Sequence, residues 1–197
     1  MNEDLDRDHL SALWKRQWPK GPPVGHELRA DYSERWVRFH SLPGSKRYPE
    51  TKDEYAIALD RYNTVLNELF GGSEVYVITV SWSWEPHGGE RPPERGELHT
   101  AGSRWLTLAY EDDPDPEFHT YTHLYADRRI WRRGSADGIL RAVADDVLSG
   151  VPITDTGLRR IHHPYDGGAD VITATPEERD RLRDRHPEWL SSQPSGL

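Results

Sequence analysis

Residues 74–84, EVYVITVSWSW, constrain the fold more than any other part of the chain, because the strand that they predict is apolar on both faces. Side chains alternate between the two faces of a β-strand. One face carries Tyr76, Ile78, Val80, Trp82 and Trp84, and the other carries Val75, Val77 and Thr79. Apolar residues on both faces are typical of a central strand, so the pattern predicts a sheet with this segment in its interior.

A long helix is predicted just before this strand, over residues 52–70. Thr51 can cap the first turn, and Glu54 can reach back to the Thr51 amide, which is the capping-box pattern. A helical spacing of 3 or 4 places five apolar side chains on one stripe: Tyr55, Leu59, Tyr62, Leu66 and Leu69. The pair Gly71-Gly72 ends the helix.

The remaining apolar patterns predict a mixture of strands and helices. Strands are predicted at 35–40, 104–110, 117–125, 129–133, 158–163 and 169–173, with a turn at Ala126-Asp127. Helices are predicted over 9–18, after Ser135 and after Thr175. Because runs of strands alternate with helices without βαβ units, we predict the α+β class. The prediction is a single antiparallel sheet, with mixed pairing possible, of about five to seven strands and helices mainly on one face.

The length of 197 residues corresponds to about one domain. No repeat or linker divides the chain, so residues 1–197 are predicted to form a single domain. A flexible N-terminus is predicted at 1–8 and a flexible tail at 191–197. Residues 85–103 are rich in Pro, Gly, Glu and Arg and predict a long loop, and loops longer than about 12–15 residues are usually functional or disordered.

Charge and composition disfavour several classes of protein. Lys and Arg number 25 against 34 Asp and Glu, which gives a net charge of −9 and disfavours nucleic-acid binding. Cysteine is absent, which excludes disulfides, thiolate nucleophiles and cysteine-bound zinc. No apolar run approaches the ~20 residues of a membrane span, and the start of the chain is acidic. We therefore predict a cytoplasmic protein that does not contact a membrane.

The histidines do not predict a metal site. His119 and His123 have the H-x-x-x-H spacing of helical zinc sites, but the segment FHTYTHLY alternates like a strand. At ~3.3 Å per residue the two imidazoles stand ~13 Å apart, which is too far to share an ion. The chain also lacks the G-x-S-x-G, P-loop and G-x-G-x-x-G motifs. The sequence therefore predicts no catalytic residue, no metal and no cofactor.

Aromatic side chains predict a candidate binding surface. His119, Tyr121, His123 and Tyr125 share one face of the predicted strand, and Tyr and His combine contact area with hydrogen bonding. Trp82 and Trp84, together with Trp105, flank the long loop. The alternative for the strand is an ordinary half-exposed sheet face, and the alternative for the tryptophans is core packing.

Charged residues cluster in two places. The segment EDDPDPE, residues 111–117, carries five carboxylates. A candidate anion patch consists of Arg128, Arg129, Arg132 and Arg133. Both clusters are also explained by ion pairing and by protection of strands against association. With a net charge of −9, recognition of a basic protein partner by the acidic segment is favoured over nucleic-acid binding.

The C-terminal third, IHHPYDGGADVI followed by a charged helix and EWL, resembles a bacterial family known as a domain of unknown function, DUF 3885. The resemblance extends to the helix RYPETKDEYAIALDRYNTVLNELF and the strand EVYVITV, and covers about residues 26–190, with the segment 82–103 less similar to the family. It implies an α+β domain of the bacterial cytoplasm in which residues 165–168 form a turn before an inward-facing Val171-Ile172. It implies no catalytic residue.

Three functions follow as hypotheses. The first is a non-catalytic protein-binding domain, immunity or antitoxin-like, that masks a basic partner. The second is a hydrolase whose His, Asp or Glu residues gather from 82–103 and 119–125. The third is RNA binding through the four arginines and Trp131.

Overall fold

The computed structural model describes residues 5–88, 91 and 93–191, with the side chains of residues 26, 94 and 95 outside that description. The helices are α1 (Arg7–Gln17), α2 (Gly25–Asp31), α3 (Lys52–Phe70), α4 (Pro93–Leu98), α5 (Asp137–Ala144) and α6 (Pro176–Arg185). The strands are β1 (Trp36–His40), β2 (Glu74–Ser83), β3 (Ser103–Tyr110), β4 (Thr120–Ile130), β5 (Ile153–Asp155), β6 (Ile161–Tyr165) and β7 (Gly168–Ile172).

The seven strands form one sheet in the order β1-β7-β6-β5-β2-β4-β3. Every neighbouring pair is antiparallel. The α+β class and the single antiparallel sheet are therefore confirmed, and β2 lies inside the sheet as its apolar faces predict. Strands β3 and β1 form the two edges.

Helices cover both faces of β2. Val75 and Val77 pack with residues of α3 and α5 on one face, which we call the α3 face. Tyr76 and Ile78 pack with residues of α1 and α2 on the other face, which we call the α1 face. Leu182 of α6 packs with Val65 of α3, so α6 lies on the α3 side of the sheet.

Helix α3 has the predicted bounds. Thr51 accepts a hydrogen bond from the Glu54 amide at 3.2 Å, and the Glu54 carboxylate accepts one from the Thr51 amide at 3.2 Å. This capping box satisfies two amides that the first helical turn leaves without partners. The capping prediction for Thr175 at the start of α6 is also confirmed, since Thr175 accepts from the Glu178 amide at 3.2 Å.

Several local predictions are wrong. The turn at Ala126-Asp127 and the separate strand at 129–133 do not form, because β4 continues to Ile130 and pairs Ala126 with Ile78 and Asp127 with Val77. Ser135 does not cap α5, whose N-cap is Ala136. Strand β6 begins at Ile161 instead of residue 158, because Leu158 adopts a positive φ of 52° in a turn.

The predicted 85–103 loop contains α4, and β3 begins at its last residue. Helix α1 begins at Arg7, inside the predicted flexible segment 1–8. Residues 1–4, 89–90, 92 and 192–197, which belong to the predicted termini and loop, lie outside the described residues.

Candidate binding surface

The residues of the candidate binding surface that the sequence predicts lie on different sides of the sheet. Tyr121, His123 and Tyr125 point to the α3 face and are 7%, 2% and 9% exposed. His119 precedes β4 and its Nε2 lies 2.8 Å from the Asp113 carbonyl oxygen. Trp105 is buried against Trp14 of α1, and its Nε1 donates to Ser11 Oγ at 3.0 Å. These five side chains therefore do not form one exposed surface.

Described residues of the predicted 85–103 loop cover the α3 face of β4. Gly88 lies against His123, and a Cβ added there stands 2.6 Å from His123 Nε2. Arg91 stacks on Tyr125 with its guanidinium carbon 4.5 Å from the ring centroid. Gly88 also has a positive φ of 60°, which favours glycine, so a larger residue is excluded there by conformation and by contact.

The His123 imidazole is held as a neutral ring. Arg104, which can only donate, and the Thr107 hydroxyl at 3.0 Å both contact Nδ1, so Nδ1 accepts. The proton of the neutral ring is then on Nε2, which donates to Ser83 Oγ at 2.8 Å. Ser83 in turn donates to the Glu85 carbonyl at 2.8 Å. Burial and the Arg104 charge lower the pKa of His123. Because Nε2, the nitrogen that faces Ser83, carries the proton, it cannot accept a proton from the Ser83 hydroxyl.

A second histidine network was not identified from the sequence, although the hydrolase hypothesis anticipates carboxylates and imidazoles near this loop. His99 contacts Asp127 Oδ1 through Nε2 at 2.5 Å and Thr79 Oγ1 through Nδ1 at 2.9 Å. Arg129 binds the Asp127 carboxylate with two hydrogen bonds of 2.7 Å. The sequence carries no clear signal for this network, because Ala126-Asp127 has the composition of a turn and His99 lies 28 residues from Asp127 in the chain.

The Thr79 hydroxyl, the His99 imidazole and the Asp127 carboxylate are linked in the same order as the groups that activate a nucleophile in many enzymes. Thr79 and His99 are each 1% exposed, however, and Arg91 also donates to Thr79 Oγ1. A substrate atom cannot approach a hydroxyl that is enclosed in this way. The network instead attaches His99 and Arg91 of the loop to β2 and β4.

The candidate anion patch is largely neutralised by ion pairs. Arg128 pairs with Glu74, Arg129 with Asp127, and Arg133 with Asp60 at 2.5 Å. Arg128 and Arg129 also point to opposite faces of β4, because successive side chains of a strand alternate. This arrangement leaves little concentrated positive charge for an anionic ligand.

Trp82 and Trp84 are exposed, at 60% and 58%. Their ring centroids are 5.7 Å apart and the rings are perpendicular. The register aligns Trp82 with Thr122 of β4 and Leu108 of β3 on the α1 face. Two residues further along β3 on the same face, Tyr110 is aligned with Thr120 and is 39% exposed. We call Trp82, Trp84 and Tyr110 the aromatic surface.

The connection between β3 and β4 places five carboxylates at the same end of the sheet. This acidic segment, residues 111–117, is exposed throughout. Its backbone is ordered by its own side chains, because Asp113 accepts from the Asp115 amide at 2.9 Å and Asp115 accepts from the Glu117 amide at 3.0 Å. The Tyr121 hydroxyl donates to Glu111 at 2.7 Å.

The Tyr110 hydroxyl is influenced by a carboxylate outside the acidic segment. Burial and the Glu27 charge together raise the pKa of the Tyr110 hydroxyl. Glu27 belongs to α2, so negative charge acts on Tyr110 from an element other than the β3–β4 connection.

Within the described residues, no group of three or more His, Asp or Glu side chains comes together in a way that could hold a metal ion. Among the described helices, none is both long and apolar enough to cross a membrane.

Comparison with curated proteins and comparison with solved structures each found no match. The family model described as "Domain of unknown function (DUF3885)" matches residues 24–194. This match confirms the resemblance in the C-terminal third and the α3–β2 region, and the chain belongs to the DUF3885 family.

Proposed function

We propose that the protein is a non-catalytic binding domain of the bacterial cytoplasm that masks a basic protein partner, as an immunity or antitoxin-like protein does. The contact is made by the aromatic surface and the acidic segment. The observation that carries the proposal is the pair Trp82 and Trp84, which lie in contact with each other and yet remain 60% and 58% exposed.

Exposed tryptophans at the end of a sheet favour binding to another protein. Trp is enriched among the few interface residues that supply most of the binding energy. Burying the exposed part of two adjacent indoles removes a large apolar area from water, at ~25 cal/mol per Å². Tyr110 extends this apolar area along the same face of the sheet.

Charge favours a basic partner. The acidic segment carries five carboxylates beside the aromatic surface, and the chain has a net charge of −9. Concentrated negative charge accelerates association with a positively charged protein and opposes association with an acidic one.

The two alternatives have less support. For a hydrolase, the imidazole–carboxylate pair near the 85–103 loop is His99 with Asp127, and both side chains are buried. For RNA binding, Arg128, Arg129 and Arg133 already pair with carboxylates.

Affinity capture from a lysate of the organism that encodes the protein tests the proposal. Three baits are compared: the wild type, the double variant Trp82→Ala/Trp84→Ala, and a control, Ile130→Ala. Ile130 is 52% exposed at the opposite end of β4 from the aromatic surface, so its replacement removes exposed apolar area elsewhere.

We expect the wild type and the control to retain the same basic protein, identified by mass spectrometry, and the double variant to lose it. Because charge contributes to the contact, the retained amount should fall as the NaCl concentration rises. Recovery of no stable partner, or equal retention by the double variant, contradicts the proposal.

A further inference from the structure

We propose that the basic partner docks through an extended segment that adds an eighth strand to the sheet at the outer edge of β3. This inference rests on the proposed function and specifies the form in which the partner is bound. The segment is cationic and pairs with residues 106–110, next to the acidic segment.

The position of β3 makes strand addition possible. β3 is the last strand in the order of the sheet and pairs only with β4 among the described strands. Every second amide and carbonyl of an edge strand points away from its neighbour. The outer edge of β3 therefore offers a row of backbone donors and acceptors to an extended chain.

The sequence of β3 lacks the usual protection against pairing. Residues 106–110, LTLAY, contain no charged residue, proline or glycine, whereas edge strands are commonly protected by charge, proline, bulges or short length. An irregularity in the register occurs only between Arg104 and Leu106, at the start of the strand. The other edge, β1, has five residues, and charged Arg38 lies at its centre, bound to Asp170 at 3.0 Å.

The aromatic surface reaches this edge through Tyr110, which lies on β3 itself. Trp82, Thr122 and Leu108 form one row across β2, β4 and β3. A strand added beside β3 at ~4.8 Å places its own side chain next in that row. Strand addition therefore places side chains of the segment next to Leu108 and Tyr110, on the strand where the aromatic surface reaches the edge.

The acidic segment favours a cationic strand over a second copy of this chain. It begins directly after Tyr110, so the side chains of an added strand near that end lie beside its carboxylates. A second copy brings another net charge of −9 and another acidic segment to the same edge, and like charges repel.

The test uses a synthetic ten-residue peptide that alternates lysine with valine and has blocked ends. Its control is the same peptide N-methylated at every residue, which keeps the charge and removes the backbone donors from both edges of the peptide. Binding is measured by calorimetry, and backbone pairing is measured by residue-resolved amide hydrogen exchange of the full chain with and without peptide.

We expect alternate amides within 106–110 to exchange at least about tenfold more slowly when the lysine–valine peptide binds, which corresponds to about 1.4 kcal/mol of added protection. Amides of β1 should be unchanged, and the N-methylated peptide should give no protection of β3. The alternation is the specific signature, because only outward-pointing amides gain a partner.

The outcomes separate this inference from the proposed function. Peptide binding without protection of β3 overturns strand addition but does not contradict the proposal that the partner is basic. Protection that appears without peptide and grows with protein concentration overturns it in favour of a second copy. Failure of the lysine–valine peptide to bind also overturns it, while the capture experiment decides the proposed function independently.

Discussion

His99 donates a hydrogen bond from Nε2 to Oδ1 of Asp127 over 2.5 Å, and both side chains are buried. His99 comes from the 85–103 loop and Asp127 from β4, so this contact holds the loop against the sheet. Thr79 on β2 occupies the other imidazole nitrogen at 2.9 Å. The hydrogen bond therefore helps to keep the loop over the α3 face of β2 and β4.

Replacement of His99 with Phe should lower the free energy of unfolding by about 2–4 kcal/mol. The ring is replaced by one of similar shape, but Asp127 and Thr79 each lose a hydrogen bond in a buried site. Urea denaturation measures the change. The control is His119→Phe, which removes an imidazole at the surface and should change stability by less than about 0.5 kcal/mol. Equal effects of the two variants contradict the role of His99.

Asp127→Asn should reduce the loss of stability in acid. Burial opposes ionisation of Asp127, but the hydrogen bonds from His99 and Arg129 outweigh it and lower the pKa of the carboxyl. The folded pKa is then below the unfolded value, so the ionised group stabilises the fold above about pH 4, and this contribution is lost as the pH falls through the folded pKa. Between about pH 5 and about pH 3, the free energy of unfolding should fall more for the wild type than for the variant, as measured by urea denaturation at each pH. An equal fall for both proteins contradicts this prediction.

His162 should make stability depend on pH in a higher range. Burial and the neighbouring His163 lower the pKa of His162 to about 3. The ring is fully buried and lies edge-on to Tyr62 with 6.2 Å between ring centroids. The unfolded chain binds a proton below about pH 6.5 and the folded chain does so only near its own lower pKa, so stability falls between these values as the pH falls.

The contribution of His162 is measurable as a difference. Between about pH 7 and about pH 5 it amounts to about 2 kcal/mol, from 1.36 kcal/mol per pKa unit. The variant His162→Phe keeps an aromatic ring against Tyr62 and should lose correspondingly less stability over that range, measured by denaturation at each pH. A constant difference between the two proteins at all pH values indicates that His162 does not titrate on unfolding.

The sequence predicts elements well where their signals are local. Helix α3 has its predicted bounds because Thr51, Glu54 and the Gly71-Gly72 pair act within a few residues of the helix ends. Ala126-Asp127 has the composition of a turn, yet it lies in the middle of β4. The carboxylate is retained in a strand because His99 and Arg129 bind it, and His99 comes from 28 residues away in the chain.

The same distinction applies to the candidate site. Alternation correctly places Tyr121, His123 and Tyr125 on one face of an extended segment. Whether that face is exposed depends on Gly88, Arg91 and His99, whose contacts with the sheet form only in the folded chain. The exposure of Trp82 and Trp84 has a similar origin, because it requires that α1 and α2 cover Tyr76 and Ile78 but not the end of β2.

Trp82 and Trp84 should contribute little to stability, in contrast to Trp105. The double variant Trp82→Ala/Trp84→Ala loses one perpendicular ring contact at the surface, and we expect it to lower the free energy of unfolding by less than about 1.5 kcal/mol. Trp105→Ala should cost about 3–5 kcal/mol, because that indole is 5% exposed and packs against Trp14. Urea denaturation of the three proteins measures both values. A loss in the double variant as large as that of Trp105→Ala assigns the two indoles to the core, and the aromatic surface is then not available to a partner.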